Sequence, residues 1–188
     1  LSSVKAGIPM EATAITVNRL CSSGLQAIVT AVQEIRDGLC EIAVAGGCES
    51  MTNIPFYLRK ARYGYRMGHG ELEDGLVTAV SDPFTRNHMG ITAENVAEKY
   101  HITREDQDRL ALMSQQRAAA ARDAGLFKDE IVPVEVRVNK KETKIFDEDE
   151  YIRPNTTMEK LAKLKPAFKE NGTVTAGNAS GINDAAAA

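Results

Sequence analysis

The chain has 188 residues, 43% of them hydrophobic and 26% charged, with 23 Lys and Arg against 26 Asp and Glu. This is an ordinary globular composition, long enough for one large domain or a core with a smaller lobe. A net charge of -3 supplies no broad positive field to grip a phosphate backbone, which excludes nucleic acid as a partner class. No run of about 18 apolar residues occurs, so no membrane-spanning helix and no membrane partner are expected. The opening LSSVKAGIP lacks the pattern of a signal peptide. The odd set Cys21, Cys40 and Cys48 favours a reducing compartment, with the cytoplasm as the expected location and mitochondrion and peroxisome as alternatives. The histidines His69, His88 and His101, with no CxxC or HExxH, give no metal-ligand spacing, so no metal is expected.

In chain order, Ala14 to Val17 has the β character of a buried strand. Leu25, Ile28, Val29, Val32 and Ile35 repeat at helical spacing from Ser22 or Ser23 onward, and Gly38 can cap the end. Glu41 to Ala45 reads as a second strand closed by Gly46 and Gly47, so the segment predicts a βαβ unit with parallel strands and a right-handed crossover. From Glu49 to about Gly90 no long periodic element survives; Pro55, Pro83, several glycines and the basic cluster Arg59, Lys60, Arg62 and Arg66 mark a functional loop or an oligomer contact. Thr92 is the expected cap of a helix ending near Tyr100. Thr103 with Asp106 resembles a capping box for a longer helix to Ala124, stopped by Gly125. Alternation from Ile131 to Val138 predicts a strand, with Pro133 demoting its start to an edge and Asn139 to Glu142 as a turn. Met158, Leu161 and Leu164 predict a short helix before Pro166, and Thr173 to Ala176 a short strand entering the Gly177-Asn178 turn. The final SGINDAAAA reads as a cap and the opening turns of a helix; with no initial Met, an internal piece of a longer protein is expected.

Cys21 is the candidate nucleophile, because it sits where a strand hands over to a helix within VNRLCSSGLQA. Unpaired amides at a helix start carry partial positive charge and favour the thiolate. Gly24 removes a Cβ from the first turn and permits close approach. The competing reading is a small buried hydrophobe, which is the default for Cys40 and Cys48. Of the histidines, only His88 in NHMG has a setting that suggests a site, and a loop histidine bonded to backbone explains it equally. Lys160, Lys163, Lys165 and Lys169, with Arg153 upstream, form either a solvated face or an anion site.

The segments VNRLCSSGLQA, VAGGCESM, HMGITAENVA, FKDEIVPV, LKPAF and GTVTAGNASGIND together resemble the thiolase family, in thiolase order and over nearly the whole chain. The resemblance is closest to the biosynthetic, acetyl-CoA acetyltransferase branch. It implies an α/β fold, a layered N-terminal thiolase core with a βαβ motif and an inserted α+β loop domain. Residues 1-50 and 170-188 would be core, 51-169 the inserted loop domain, with a tetramerisation loop at about 51-82 and a CoA-facing part at about 83-169. The C-terminal thiolase domain would be absent. The implied reaction is a two-step Claisen condensation of two acetyl-CoA molecules to acetoacetyl-CoA, reversible as thiolysis, with Cys21 as the acyl-carrying nucleophile and its N–H in an oxyanion hole. His88 and Met89 would line the acyl and pantetheine pocket, Leu76 and Phe168 would pack on pantetheine, Ser180 would contact its amide, and Arg153 would lie near the adenine and phosphate end of CoA. No separate cofactor is implied, the CoA thioester being the substrate, and a homo-oligomer, tetramer or dimer, is expected.

The chain also departs from the family. GHP, NEAF and CxG, which supply the activating histidine, the oxyanion-water asparagine and the second cysteine, do not occur. The strand and helix that normally precede Leu1 are not in the sequence, Ser22 stands where many relatives have glycine, and Cys48 where many have methionine. The piece alone is therefore expected to be inactive. Alternatives are a 3-ketoacyl-CoA thiolase of fatty-acid degradation, a ketoacyl synthase relative, and a non-catalytic CoA-binding module.

Overall fold

A computed structural model describes residues 1–188, which form two compact units: Leu1–Ile54 with Ile182–Ala188, and Pro55–Gly181. Helices and short antiparallel strand pairs alternate along the chain.

In the first unit, a short helix α1 (Ser2–Lys5) is followed by α2 (Ser23–Arg36), the helix expected from the apolar spacing. Its end is a Schellman turn: Leu39 N–H donates to Glu34 O and Gly38 N–H to Ile35 O, with Gly38 at φ 72° as the left-handed position requires. The apolar stripe of α2 is not buried; Leu25 is 66% exposed and Ile28 52%.

The βαβ expectation is corrected here. Residues Ala14–Val17 and Glu41–Ala45, the two expected strands, make no backbone hydrogen bonds and are not strands. A strand exists only where a neighbour takes its N–H and C=O groups, and no segment of the chain does so for either run. The strand instead begins at Gly47, where the second was expected to have ended. β1 (Gly47–Ser50) pairs antiparallel with β6 (Asp184–Ala187), with Cys48 opposite Ala186. The terminal alanines thus form a strand rather than the expected helix: one helical turn fixes several dihedrals for a single bond, whereas β1 offers a ready ladder. Asp184 anchors this pair, accepting from Thr52 Oγ1 at 2.5 Å, Thr52 N at 3.0 Å and Ser50 Oγ at 3.2 Å. These bonds, those of Thr52 foremost, hold its carboxyl below the usual range.

The second unit opens with irregular chain holding the two-residue pair β2 (Phe56–Tyr57) and β3 (Glu73–Asp74), then α3 (Gly75–Ala79) capped by Asp74. Arg59 pairs with Glu73 across this segment. Hydrogen bonds from Arg59 and then Thr78 lower the Glu73 carboxyl to about 2.

α4 (Met89–Lys99) and α5 (Arg104–Asp123) carry the packed part of the unit. The cap of α4 is His88 and not Thr92, because His88 Nδ1 accepts the Gly90 N–H at 2.9 Å, a turn earlier than expected. His101 ends α4 in a left-handed conformation (φ 56°), with Ile102 N–H returning to Ala97 O. The Thr103–Asp106 capping box forms as predicted, and Gly125, at φ 71°, closes α5.

β4 (Val134–Arg137) and β5 (Thr143–Phe146) form a hairpin across the expected turn, β5 being a strand that the sequence pattern does not predict. α6 (Met158–Ala162) packs on α5. Thr173 to Ala176 is not a strand. A single bridge joins Thr175 to Pro166, and the rest is a turn held by side chains. The buried apolar residues are Ala97, Ala119, Leu161 and Val174, all in this unit.

The Thr103→Ala variant should lose about 1 kcal/mol of stability in the second unit, read as a shifted urea midpoint at unchanged m-value.

Candidate functional site

Cys21 is free and exposed, at the end of a tight turn that feeds α2. The turn is built from local bonds. Asn18 Oδ1 accepts from Leu20 N at 3.0 Å; Ser23 Oγ donates to Leu20 O at 2.7 Å and accepts from Arg19 N at 2.8 Å. Between them Leu20 is forced to φ 49°. A branched L-residue in that region costs about 1–2 kcal/mol, and such strain persists only where surrounding bonds over-determine it. The turn delivers a thiol, accessible to solvent, beside the start of a 14-residue helix. The contribution of Gly24 is open space, with no atom within 4 Å of where a Cβ would stand. Cys48 is exposed and Cys40 half-buried, so neither is the fully packed hydrophobe expected.

The other candidate residues, Leu76, His88, Met89, Arg153, Phe168 and Ser180, belong to the second unit. The fold brings His88 and Phe168 together: their rings stack at 4.7 Å between centroids and 23° between planes. With Nδ1 accepting from Gly90, a neutral His88 carries its proton on Nε2. Gly90 makes the stack possible, since a Cβ there would enter the Phe168 ring. Met89 is partly exposed and its N–H donates to Val80 O at 2.8 Å. Leu76, half-buried at the start of α3, donates its N–H to Asp74 Oδ1 at 2.8 Å.

Two buried carboxylates organise the chain around Phe168. Glu94, 4% exposed, accepts from Thr173 N (2.8 and 2.9 Å to its two oxygens), Thr173 Oγ1 (2.9 Å) and Val174 N (2.8 Å). Burial pushes this carboxyl up, but the Val174 and Thr173 amides, the Thr173 hydroxyl and the Lys169 ammonium together hold it below its usual value. Asp108, 2% exposed, accepts from Arg104 Nε at 2.7 Å and Asn178 Nδ2 at 2.9 Å. Asn178 also donates to Thr173 O and accepts from Thr175 N, while Arg104 reaches Leu161 O and Leu164 O.

Arg153 lies over the Tyr151 ring at 5.7 Å, and that ring packs against Gly181, next to the exposed Ser180. Tyr151 thereby meets Arg153 on one side and the backbone flanking Ser180 on another. The lysine cluster does not converge: Lys160 donates to Asn155 O at 2.6 Å and Lys169 pairs with Glu98 at 3.3 Å. No group of three or more His, Cys, Asp or Glu side chains is placed to hold a metal ion, and no helix is long and apolar enough to cross a membrane.

Residues 2–188 match the thiolase N-terminal domain family. The chain belongs to the thiolase family. Beta-ketothiolase BktB of Cupriavidus necator is 54% identical over 100% of this chain and 48% of its own length, and the acetyl-CoA acetyltransferase of Pseudomonas aeruginosa 52% identical over the same shares. The crystal structure of the Bacillus anthracis acetyl-CoA acetyltransferase superposes at TM-score 0.94, with 46% identity, over 98% of this chain and 47% of that one. Human mitochondrial 3-ketoacyl-CoA thiolase gives 0.92, with 48% identity, over 97% and 46%. This thiolase chain spans about half the length of the curated relatives it matches, and the α/β fold class expected from the motifs holds at the level of these neighbours.

Glu94, Asp108, Asn178 and Tyr151 were not singled out in the sequence. A signal for Glu94 was present: Gly90, Glu94 and Ala97 share one helical face, all buried, and a carboxylate on such a stripe demands partners. Nothing local marks Asn178 as the hub between Asp108 and Thr173, because Asp108, the partner that ties its turn to α5, lies 70 residues away in the chain.

A group whose folded pKa is lowered stabilises above its unfolded value and loses that effect as pH falls through the folded one. Glu94 should therefore contribute fully above its usual 4.5 and progressively less below it. Urea unfolding across that range should show an acid slope that is reduced in Glu94→Gln. Gly90→Ala should cost about 1–3 kcal/mol by driving a methyl group into Phe168, measured by the same unfolding.

Proposed function

We propose that this chain is the nucleophile-bearing half of an acyltransferase, an acetyl-CoA C-acetyltransferase that condenses two acetyl-CoA molecules to acetoacetyl-CoA and runs in reverse as thiolysis. The observation that carries the reading is the accessible Cys21 thiol on a strained turn at the start of α2, in a chain whose relatives include acetyl-CoA acetyltransferases.

In the first step the Cys21 thiolate attacks the thioester carbonyl. A carbon–sulfur bond forms to Cys21, the bond to CoA breaks, and CoA leaves as a thiolate that takes up a proton. The negative oxygen of the tetrahedral species is met by backbone N–H groups, that of Cys21 among them. In the second step another acetyl-CoA loses an α-proton, its carbanion attacks the acetyl-Cys21 carbonyl, and the cysteine is expelled. The groups for that proton transfer belong to the GHP and CxG motifs, which this chain does not contain, so the chain by itself is inactive.

In unit two, the stacked His88–Phe168 pair supplies a mixed apolar and polar wall suited to a pantetheine arm, to which Met89 and Leu76 would add apolar surface, while Arg153, over the Tyr151 ring, and Ser180, beside the Gly181 that the same ring meets, would supply polar contacts farther along CoA. The thioester is a substrate and no further cofactor takes part. Exposed Phe56, Tyr63 and Met67 support self-association of the full-length enzyme through residues 51–82, as a tetramer or dimer. The free cysteines support a reducing, cytoplasmic setting. The 48% identity to human mitochondrial 3-ketoacyl-CoA thiolase favours a second reading, thiolysis of longer 3-ketoacyl-CoA substrates.

Intact mass spectrometry after brief exposure to acetyl-CoA should show an adduct of about 42 Da on the full-length enzyme, lost in Cys21→Ala. In the isolated chain, iodoacetamide should label Cys21 faster than Cys40 or Cys48 at neutral pH, as expected for a thiol beside a helix start. Efficient turnover by the isolated chain, or equal labelling of the three thiols, would count against the reading. A higher kcat/KM for longer 3-ketoacyl-CoA than for acetoacetyl-CoA would select the second one.

A further inference from the structure

We infer that Glu94 is a positioning residue for the CoA-facing ring of Phe168, acting through the backbone of residues 167–174. This rests on the reading that His88 and Phe168 face the pantetheine arm.

The linkage is continuous. The Glu94 carboxylate fixes the amides of Thr173 and Val174 and the Thr173 hydroxyl. Val174 O accepts the Ala167 N–H at 2.9 Å, and a bridge between Pro166 and Thr175 closes the same loop one pair farther out. Ala167 precedes Phe168, whose ring stacks on His88 at the start of the helix that carries Glu94. The loop is thus gripped by α4 at two points: the ring at Gly90 and His88, and the base of the loop at Glu94. Two glycines allow the grip. A Cβ at Gly90 would occupy the Phe168 ring, and one at Gly172 would collide with Glu94 Oε1. Gly172 N–H donates to Lys169 O at 3.0 Å, which tightens the turn between the two points.

A carboxylate suits this task better than an amide. Three donors converge on it, which two acceptor oxygens accommodate, whereas a glutamine would turn an NH2 group toward one of the amides. Losing Glu94 would leave buried amides without acceptors, and the backbone would move to satisfy them. That movement passes through Val174 and Ala167 to Phe168. Lys169, paired with Glu98, lies in the same loop but on its exposed side, and tethers it only weakly.

The test is steady-state kinetics of the full-length enzyme in the thiolysis direction, with CoA varied, for the wild type, Glu94→Gln and the milder Thr173→Val. Active sites are counted by iodoacetamide titration of Cys21. The expected result is a KM for CoA raised about fivefold in Glu94→Gln, a smaller rise in Thr173→Val, and kcat per titratable site within about twofold of wild type, the pattern of lost binding geometry. A purely structural role would lower the number of titratable sites and leave KM unchanged, which would overturn the inference. A wild-type enzyme that turns over no acyl-CoA would overturn the thiolase reading and this inference with it. An active wild type beside an unaltered KM in both variants overturns the inference alone.

Discussion

A carboxylate sealed from water must be met by donors, and in the second unit Glu94 meets this requirement with the backbone of a segment 79 residues away. Most of what surrounds Phe168 follows from that constraint. The turn at 169–172 must pass close enough to expose two consecutive amides to α4, which excludes a side chain at Gly172. Val174 is thereby buried, and Thr175 beside it is fully enclosed. Asp108, from α5, completes the arrangement by accepting from Asn178 within the segment, so that a stretch without regular secondary structure is held by side-chain bonds in place of a ladder.

The first unit is organised differently. Its defining feature is the turn before α2, where bonds between neighbours compel Leu20 into a left-handed conformation and present Cys21 to solvent. The apolar stripe of α2 lies exposed, and residues Ala14–Val17 and Glu41–Ala45 make no backbone hydrogen bonds. The local geometry of the Cys21 turn is complete while the apolar stripe of the helix it feeds lies uncovered, in a chain that spans about half the length of its thiolase relatives.

Legibility in the sequence follows the range of the interactions. The end of α2 at Gly38, the capping box at Thr103 and Asp106 and the stop at Gly125 could all be read, because each depends on residues within about one turn of the helix. The motif around Cys21 could be read for the same reason, together with the family through the co-linear segments. The parallel strands could not, since the strand character of Ala14–Val17 and Glu41–Ala45 is a preference that only a neighbour can realise. The pairing of Asp184–Ala187 with Gly47–Ser50 was likewise hidden: alanine favours helix, and the partner strand lies more than 130 residues earlier in the chain, Ser50 and Asp184 being 134 apart. His88 was singled out for its surroundings, yet its role as the cap of α4 depends on a ring nitrogen taking the place usually given to Ser, Thr, Asp or Asn.

The separation between Glu94 and its partners also bears on the order of folding. Closing a loop of 79 residues costs roughly 2–3 kcal/mol more in chain entropy than closing one of four. The capped helices and the β4–β5 hairpin are short-range structures that form without this cost, whereas the Glu94 contacts have to wait for both ends of the unit to be in place. The contacts that hold the loop carrying Phe168 are accordingly expected to form after the short-range structures of the unit.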